Sequence, residues 1–233
     1  MDGERAGGTP TPTRANLGAV VTASLVAALG ARRRFDDPYR HWIVSEVFPP
    51  AVASALLTLP FPTVHLGGVS GKRELHNDER HYFDAAANAR FAECAAVAAA
   101  FQSAPVVEAI ETATGADLSA SFVRLEYAQD TDGFWLAPHT DLGVKRFTML
   151  IYLSDWARQG DLGTDLYRDS NTWAKRTAFD HNTALVFTPG DDTWHGLARR
   201  SITGVRRSVI MNYVTADWRE RGQLAFPETP VRP

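Results

Sequence analysis

The chain holds a single cysteine, Cys94, so no disulfide can staple it internally. Its 233 residues must instead be held by burial and hydrogen bonding, and at 45% hydrophobic they carry enough apolar surface for the core of one domain. A lone thiol fits a reducing cytoplasm. In its alanine-rich stretch Cys94 reads as a buried, inert side chain rather than a nucleophile. Excess charge is missing as well: the formal net charge is -3, which leaves no electrostatic case for a nucleic-acid partner. The like-charged run Arg32-Arg33-Arg34 reads as cations at a helix C-terminus. Long apolar runs are also absent. Leu17 to Gly30, about fourteen residues, falls short of the roughly twenty that cross a membrane. Three arginines follow it where a signal peptide would place small residues. Leu17, Val20, Val21, Leu25 and Leu29 recur at helical spacing, which predicts an amphipathic helix ending near Arg34 and no membrane partner.

The organisation that is present falls in two halves. Residues 1–15, rich in Gly, Pro, Thr and Arg, read as a disordered leader. After the first helix, His41 to Val44 predicts a strand and Pro49-Pro50 opens a helix through about Leu59. Residues 63–83 are polar and long for a connection, which leaves a surface loop and a lid over a pocket as equal readings. Alanine content predicts one helix over Asp84 to Phe101. A second helix starts near Ser103, whose hydroxyl can cap it, and stops at Gly115. From Ser119 onward short apolar runs alternate with turns: Phe122–Tyr127, Phe147–Leu153, Leu166-Tyr167, Ala184–Thr188, Trp194–Arg199 and Val205–Val214. Helices first and strands after predict an α+β domain over 16–222, with helices on one side of a mainly antiparallel sheet system and a C-terminal tail at 223–233.

Within the strand half, His139 and Asp141 lie two residues apart and so share a strand face. Imidazole nitrogen and carboxylate oxygen grip a metal at two points. His195, some fifty residues on, could complete the set from another strand. Two His and one carboxylate on one side leave the opposite positions open, which suits a non-haem Fe(II) centre. A bare His-x-Asp arises by chance in many sequences; the company around this one gives it weight. Pro189 to Asp192 is a turn that delivers Trp194-His195 onto a strand. Thr203-Gly204 is a second turn, expected to return the chain antiparallel to the His195 strand. Arg206 and Ser208 then share a face, and a guanidinium beside a hydroxyl makes a receptor for a carboxylate.

These residues resemble the Fe(II)- and 2-oxoglutarate-dependent oxygenases, particularly their prolyl-hydroxylase-like branch. The likeness rests on His139-Thr140-Asp141, the run Phe147 to Trp156, Ala184 to Phe187, His195, and Gly204-Val205-Arg206-Arg207-Ser208. It covers about Tyr127 to Tyr213. It implies a double-stranded β-helix (a jelly-roll, cupin-like core, about 119–215) supported by helices over about 16–115. It further implies His139, Asp141 and His195 as ligands of Fe(II), and Arg206 with Ser208 as the seat of the 2-oxoglutarate C5 carboxylate. Tyr152 and Tyr127 match tyrosines beside that co-substrate, though strand aromatics more often fill cores. O₂ is the second co-substrate, and succinate and CO₂ are released. Where the family often carries Gly-Gly-Glu-Leu, this chain has Gly163-Thr164-Asp165-Leu166, so prolyl substrates do not carry over. Halogenating relatives replace the carboxylate ligand; the presence of Asp141 implies hydroxylation or a related oxidation.

Candidates for substrate contact are Trp135, Trp194, Arg124 with Glu126 on one strand face, Asn212, and Arg73, His76 and Arg80 in the 63–83 loop. Arg124 and Glu126 have a second reading as a surface ion pair, worth little. The compact size favours a small polar metabolite, amino-acid-derived or a natural-product intermediate, and a protein or carrier-tethered substrate stands as the alternative. A zinc hydrolase would share the ligand set but leaves Arg206-x-Ser208 without a role. A non-catalytic metal-binding β-barrel module has no use for an intact anion site. Nothing along the chain sets an oligomeric state.

Overall fold

The computed structural model describes residues 14–63, 71, 80–153 and 161–232. Among the described residues the α-helices are α1 (Arg14–Gly30), α2 (Pro50–Leu57), α3 (Ala85–Arg90), α4 (Ala92–Gln102) and α5 (Ala104–Thr114). The strands are β1 (Arg33–Phe35), β2 (His41–Ser45), β3 (His81–Tyr82), β4 (Phe122–Asp130), β5 (Leu136–His139), β6 (Lys145–Leu153), β7 (Asp165–Tyr167), β8 (Trp173–Arg176), β9 (Thr183–Phe187), β10 (His195–Leu197) and β11 (Arg206–Val214). They form a seven-stranded sheet in the order β1-β2-β9-β6-β11-β4-β3 and a four-stranded sheet in the order β5-β10-β7-β8. Neighbours in both sheets run antiparallel. The expected antiparallel pairing holds, but besides the strand expected at 41–44, β1 and β3 also fall among the helices and join the large sheet.

Period-two alternation splits the large sheet into two faces. Val123, Leu125 and Tyr127 of β4, Phe147, Met149 and Ile151 of β6, and Val209, Met211 and Tyr213 of β11 face the helices. There they meet Val21, Leu25 and Leu29 of α1 and Val97 and Phe101 of α4. Burying each such side chain stabilises the fold by about 1.5–3 kcal/mol relative to exposure. The opposite face carries Tyr152, Leu185 and Phe187, which pack with Leu166, Phe179 and Leu197 of the smaller sheet and its connections. Cys94 is fully buried on the helical side, and burial pushes its thiol up to about 12.

Several local expectations are corrected. Helix α1 ends at Gly30, and Arg33 and Arg34 pair with β2 as an edge strand; Arg32 alone serves the helix end, donating to the Leu29 carbonyl at 3.0 Å. Val20, on the expected apolar stripe, is exposed. The helix expected over Asp84 to Phe101 breaks at Phe91, whose extended backbone turns its ring edge-on to Phe61, with centroids 5.4 Å apart. Asp84 caps α3 through Ala87 N at 2.8 Å, whereas the Ser103 hydroxyl donates to the Ala100 carbonyl at 2.6 Å and caps nothing. Strand β11 does not pair with β10: it lies between β4 and β6 in the other sheet. The chain crosses from one sheet to the other over residues 198–205, so His195 and Arg206 look at one cavity from opposite walls. The segment read as a C-terminal tail runs alongside β4, with Ala225 N bonded to Val123 O at 3.0 Å and Val231 N to Ser121 O at 2.8 Å. The leader at 1–13 and most of the 63–83 loop lie outside the described residues. Among those described, no single helix is long and apolar enough to cross a membrane.

Candidate active site

A cavity of about 790 Å³ opens between the two sheets. Its floor is the second face of the large sheet: Arg206, Ser208 and Ile210 of β11, Arg124 and Glu126 of β4, and Thr148 and Leu150 of β6. Its facing wall is β5 and β10, where His139 and His195 are direct Cα partners. Gly196 permits that pairing, because a Cβ there would stand 2.7 Å from the Leu136 carbonyl oxygen and 3.1 Å from that of Ala137. Asp141 follows just beyond the end of β5.

One ligand atom each from His139, Asp141 and His195 lies within 4.8 Å of the others, and this is the one such group found among the described residues. The imidazoles sit with ring centroids 4.4 Å apart. His139 Nδ1 lies 2.9 Å from the Ala137 carbonyl and His195 Nδ1 lies 2.9 Å from that of Thr193. A carbonyl only accepts, so each Nδ1 carries the proton and each Nε2 keeps its lone pair. This is how metal-ligating histidines are held. Burial, then the neighbouring His139, pushes His195 down to about 4, so it stays neutral and able to ligate. Burial opposes ionisation of Asp141, but the charge of Lys145 and hydrogen bonds from Lys145 and Thr148 outweigh it and hold the carboxyl well below the usual carboxylate range. Lys145 Nζ meets Oδ1, and the Thr148 hydroxyl donates to Oδ2 at 2.6 Å. Two imidazoles whose Nε2 atoms are left unprotonated by the Nδ1 contacts and an ionised carboxylate, on one side of an open cavity, fit a divalent ion.

The anion-receptor residues stand on the floor. Arg206 is buried, with Nη1 donating to Asp130 Oδ2 at 2.7 Å, Nε donating to the Leu162 carbonyl at 2.7 Å, and its Cζ 5.0 Å from the centre of the Phe179 ring. Ser208 lines the cavity beside it. The two tyrosines are placed differently from expectation. Tyr152 is buried between the sheets, its hydroxyl 2.8 Å from both Thr164 Oγ1 and Thr177 Oγ1, so it meets the cavity only through Thr164. Tyr127 faces the helical core and donates to the Leu56 carbonyl at 2.7 Å; the odd-numbered face of β4 takes it away from the site.

Arg124 and Glu126 are no surface pair. Arg124 is 3% and Glu126 1% exposed, and they bond to each other at 3.1 Å. Arg80 reaches Glu126 with Nε at 2.7 Å, and the Arg124 guanidinium lies between the rings of Tyr82 (5.0 Å) and Trp218 (4.8 Å). Asn212 is fully buried between Thr148 and Arg124. Trp135 and Trp194 do not line the cavity: Trp135 lies under the Arg199 guanidinium at 4.3 Å, and Trp194 stands just before β10, its carbonyl accepting from Tyr167 N at 3.0 Å. Arg73 and His76 fall outside the described residues.

Sequence reasoning missed Asp130, Lys145, Thr148, the 217–220 loop at the cavity rim, and Asp165. Asp165 is fully buried and accepts from Trp173 Nε1 at 3.0 Å, Arg176 Nε at 2.8 Å, Ala198 N at 2.8 Å and Arg200. Lys145, four residues after Asp141, was the one contact that local spacing could have raised.

Residues 123–215 match the family model of the 2OG-Fe(II) oxygenase superfamily. Over that segment the chain is similar to this superfamily, whose enzymes use iron and 2-oxoglutarate with O₂. No curated protein sequence matches the chain. Among solved structures it is similar to a prolyl 4-hydroxylase from Phytophthora capsici, at 17% identity and TM-score 0.54, covering 91% of this chain and 68% of that one. A prolyl-4-hydroxylase from Pseudomonas putida is similar at 14% identity and TM-score 0.50, covering 89% and 99%. HygX from Streptomyces hygroscopicus, solved with nickel, 2-oxoglutarate and hygromycin B bound, is similar at 16% identity and TM-score 0.50, covering 75% and 82%.

Proposed function

We propose that this oxygenase hydroxylates an unactivated C–H bond of a small polar metabolite, amino-acid-derived or a natural product. In this reading His139, Asp141 and His195 hold iron(II), Arg206 with Ser208 holds the far carboxylate of 2-oxoglutarate, and the two sheets are the halves of a double-stranded β-helix with the metal at its mouth. The observation that carries the reading is the convergence of three ligand atoms within 4.8 Å, with both imidazoles locked by backbone carbonyls, over a floor that also presents a buried arginine. Bound iron with 2-oxoglutarate supplies the oxidising power for O₂-dependent C–H cleavage, releasing succinate and CO₂.

The chain's own residues supply position and dryness. The Ala137 and Thr193 carbonyls fix the imidazoles. Asp130 and the Leu162 carbonyl fix the Arg206 fork, and Ile210 and Leu150 keep the floor between the two ends apolar. The volume of about 790 Å³ is within the usual range of about 300–1,000 Å³ for small-molecule sites. The buried Arg124-Glu126 pair, with Arg80 beside it, offers polar recognition at the same floor, which supports a small polar substrate over a long peptide.

The test is succinate formation from 2-oxoglutarate under air, with Fe(II) and then with zinc in its place, while fractions of small polar metabolites, peptides and carrier-bound acyl groups are added. Fe(II)-dependent succinate that rises with a metabolite fraction is the expected result. A rise only with peptide or carrier-bound fractions moves the substrate to the tethered class, and 2-oxoglutarate left unconsumed with Fe(II) overturns the reading.

A further inference from the structure

A chain of hydrogen bonds runs from Asp141 across the cavity floor. Thr148, Asn212 and Arg124 are Cα partners on the neighbouring strands β6, β11 and β4, and are 1%, 0% and 3% exposed. Arg124 Nη1 donates to Asn212 Oδ1 at 3.0 Å, Asn212 Nδ2 donates to Thr148 Oγ1 at 2.9 Å, and the Thr148 hydroxyl donates to Asp141 Oδ2 at 2.6 Å. The direction is forced. A guanidinium can only donate, so Asn212 must turn its oxygen to Arg124 and its NH₂ to Thr148. Thr148 then accepts from Asn212 and has one proton left, which goes to the carboxylate. A cation at one end and an anion at the other polarise every bond the same way, and such chains strengthen cooperatively.

We propose that Thr148 and Asn212 are positioning residues for metal uptake: the relay clamps Oδ2 of Asp141 and leaves Oδ1 to ligate as a single oxygen. This rests on the reading of His139, Asp141 and His195 as the metal ligands. Lys145 Nζ meets that same Oδ1, so an arriving ion displaces the ammonium from Oδ1 while Thr148 keeps its hold on Oδ2. Without the Thr148 proton, the carboxylate is free to turn toward Lys145, and the third ligand is no longer presented to the imidazoles. The other end of the relay, Arg124, lines the cavity, so the ligand is tied mechanically to the surface on which substrate rests. Two strand spacings lie between Thr148 and Arg124, about 10 Å at the usual separation of neighbouring strands.

The experiment titrates the metal-free full chain with Ni(II) by calorimetry, for wild type, Thr148→Val, Thr148→Ser and Asn212→Asp. Valine keeps the shape and removes the proton; serine keeps the proton; aspartate keeps the shape of Asn212 but cannot donate to Thr148. Thr148→Val and Asn212→Asp should weaken Ni(II) binding about 10–100-fold, the range for losing an outer partner of a metal ligand, and Thr148→Ser should stay within about threefold of wild type. Val and Asp variants that both bind within about threefold, or a Ser variant as weak as Val, overturn the relay while wild-type uptake keeps the ligand reading intact. A wild type that takes up no Ni(II) overturns the ligand reading itself, and the relay with it.

Discussion

Arg206 and Asp130 are Cα partners across β11 and β4, and their buried side chains close an ion pair at 2.7 Å. With Nε also donating to the Leu162 carbonyl, the guanidinium is oriented before any ligand arrives. An arginine held this way loses little freedom when it binds a carboxylate, which is what preorganisation contributes to affinity.

Lysine at position 206 keeps the charge but cannot serve Asp130, Leu162 and a ligand with one planar fork. Arg206→Lys should raise the half-saturating 2-oxoglutarate concentration about tenfold or more, as expected for loss of a charge-assisted bond of about 1.5–3 kcal/mol. Metal affinity without 2-oxoglutarate should not change. Steady-state succinate formation and Ni(II) calorimetry together check both halves, and an unchanged 2-oxoglutarate requirement would remove Arg206 from its role.

Gly196 sets how closely β10 approaches β5. A methyl group there meets the Leu136 carbonyl oxygen at 2.7 Å, so Gly196→Ala must push the His195 strand away from the His139 strand. Metal affinity should fall by about tenfold or more, while the urea midpoint drops by an amount equivalent to about 1–3 kcal/mol, the usual range for overpacking. Calorimetry beside urea unfolding separates the two effects. A Gly196→Ala variant with wild-type affinity would mean that the two imidazoles do not act together.

His41 predicts a pH dependence away from the site. It is 1% exposed, with Nδ1 2.7 Å from the Tyr39 carbonyl and its ring stacked on Phe35 at 5.3 Å. Burial first, and then the nearby Lys175 charge, hold its pKa below the ordinary imidazole range. The unfolded chain therefore binds a proton that the folded chain refuses. This contribution to stability is complete above the unfolded pKa of about 6.5 and is lost as the pH falls below it. Urea unfolding at pH 5 and pH 7.5 should show a smaller difference for His41→Gln than for wild type; equal differences would contradict the assignment.

How much of this could be read in the sequence depended on separation along the chain. Alternation over 119–215 placed Arg206 and Ser208 on one face of β11, and so together in the cavity, because period two needs only neighbours. The grouping of His139, Asp141 and His195 was legible because their side-chain chemistry is specific even at long range. What spacing could not deliver was topology. Arg206 lies in a different sheet from His195 although only one turn separates them, and its partner Asp130 is 76 residues away. Nor could it tell Tyr152 and Tyr127 from co-substrate contacts: their hydroxyls end on Thr164, Thr177 and the Leu56 carbonyl, all fixed by packing. Asp165, read only as a departure from a motif, holds Arg176 and Arg200 inside the smaller sheet, and the break at Phe91 has no helix-breaking residue to announce it.

The most direct test of the central claim is an anaerobic titration of the metal-free protein with Fe(II) and 2-oxoglutarate, followed by visible absorption. A weak charge-transfer band in wild type, lost in His139→Ala and in His195→Ala, is the result predicted for iron held by these residues with a chelated keto acid. A wild type without that band that nevertheless binds zinc tightly would contradict the account and leave only the fold in common with the oxygenases.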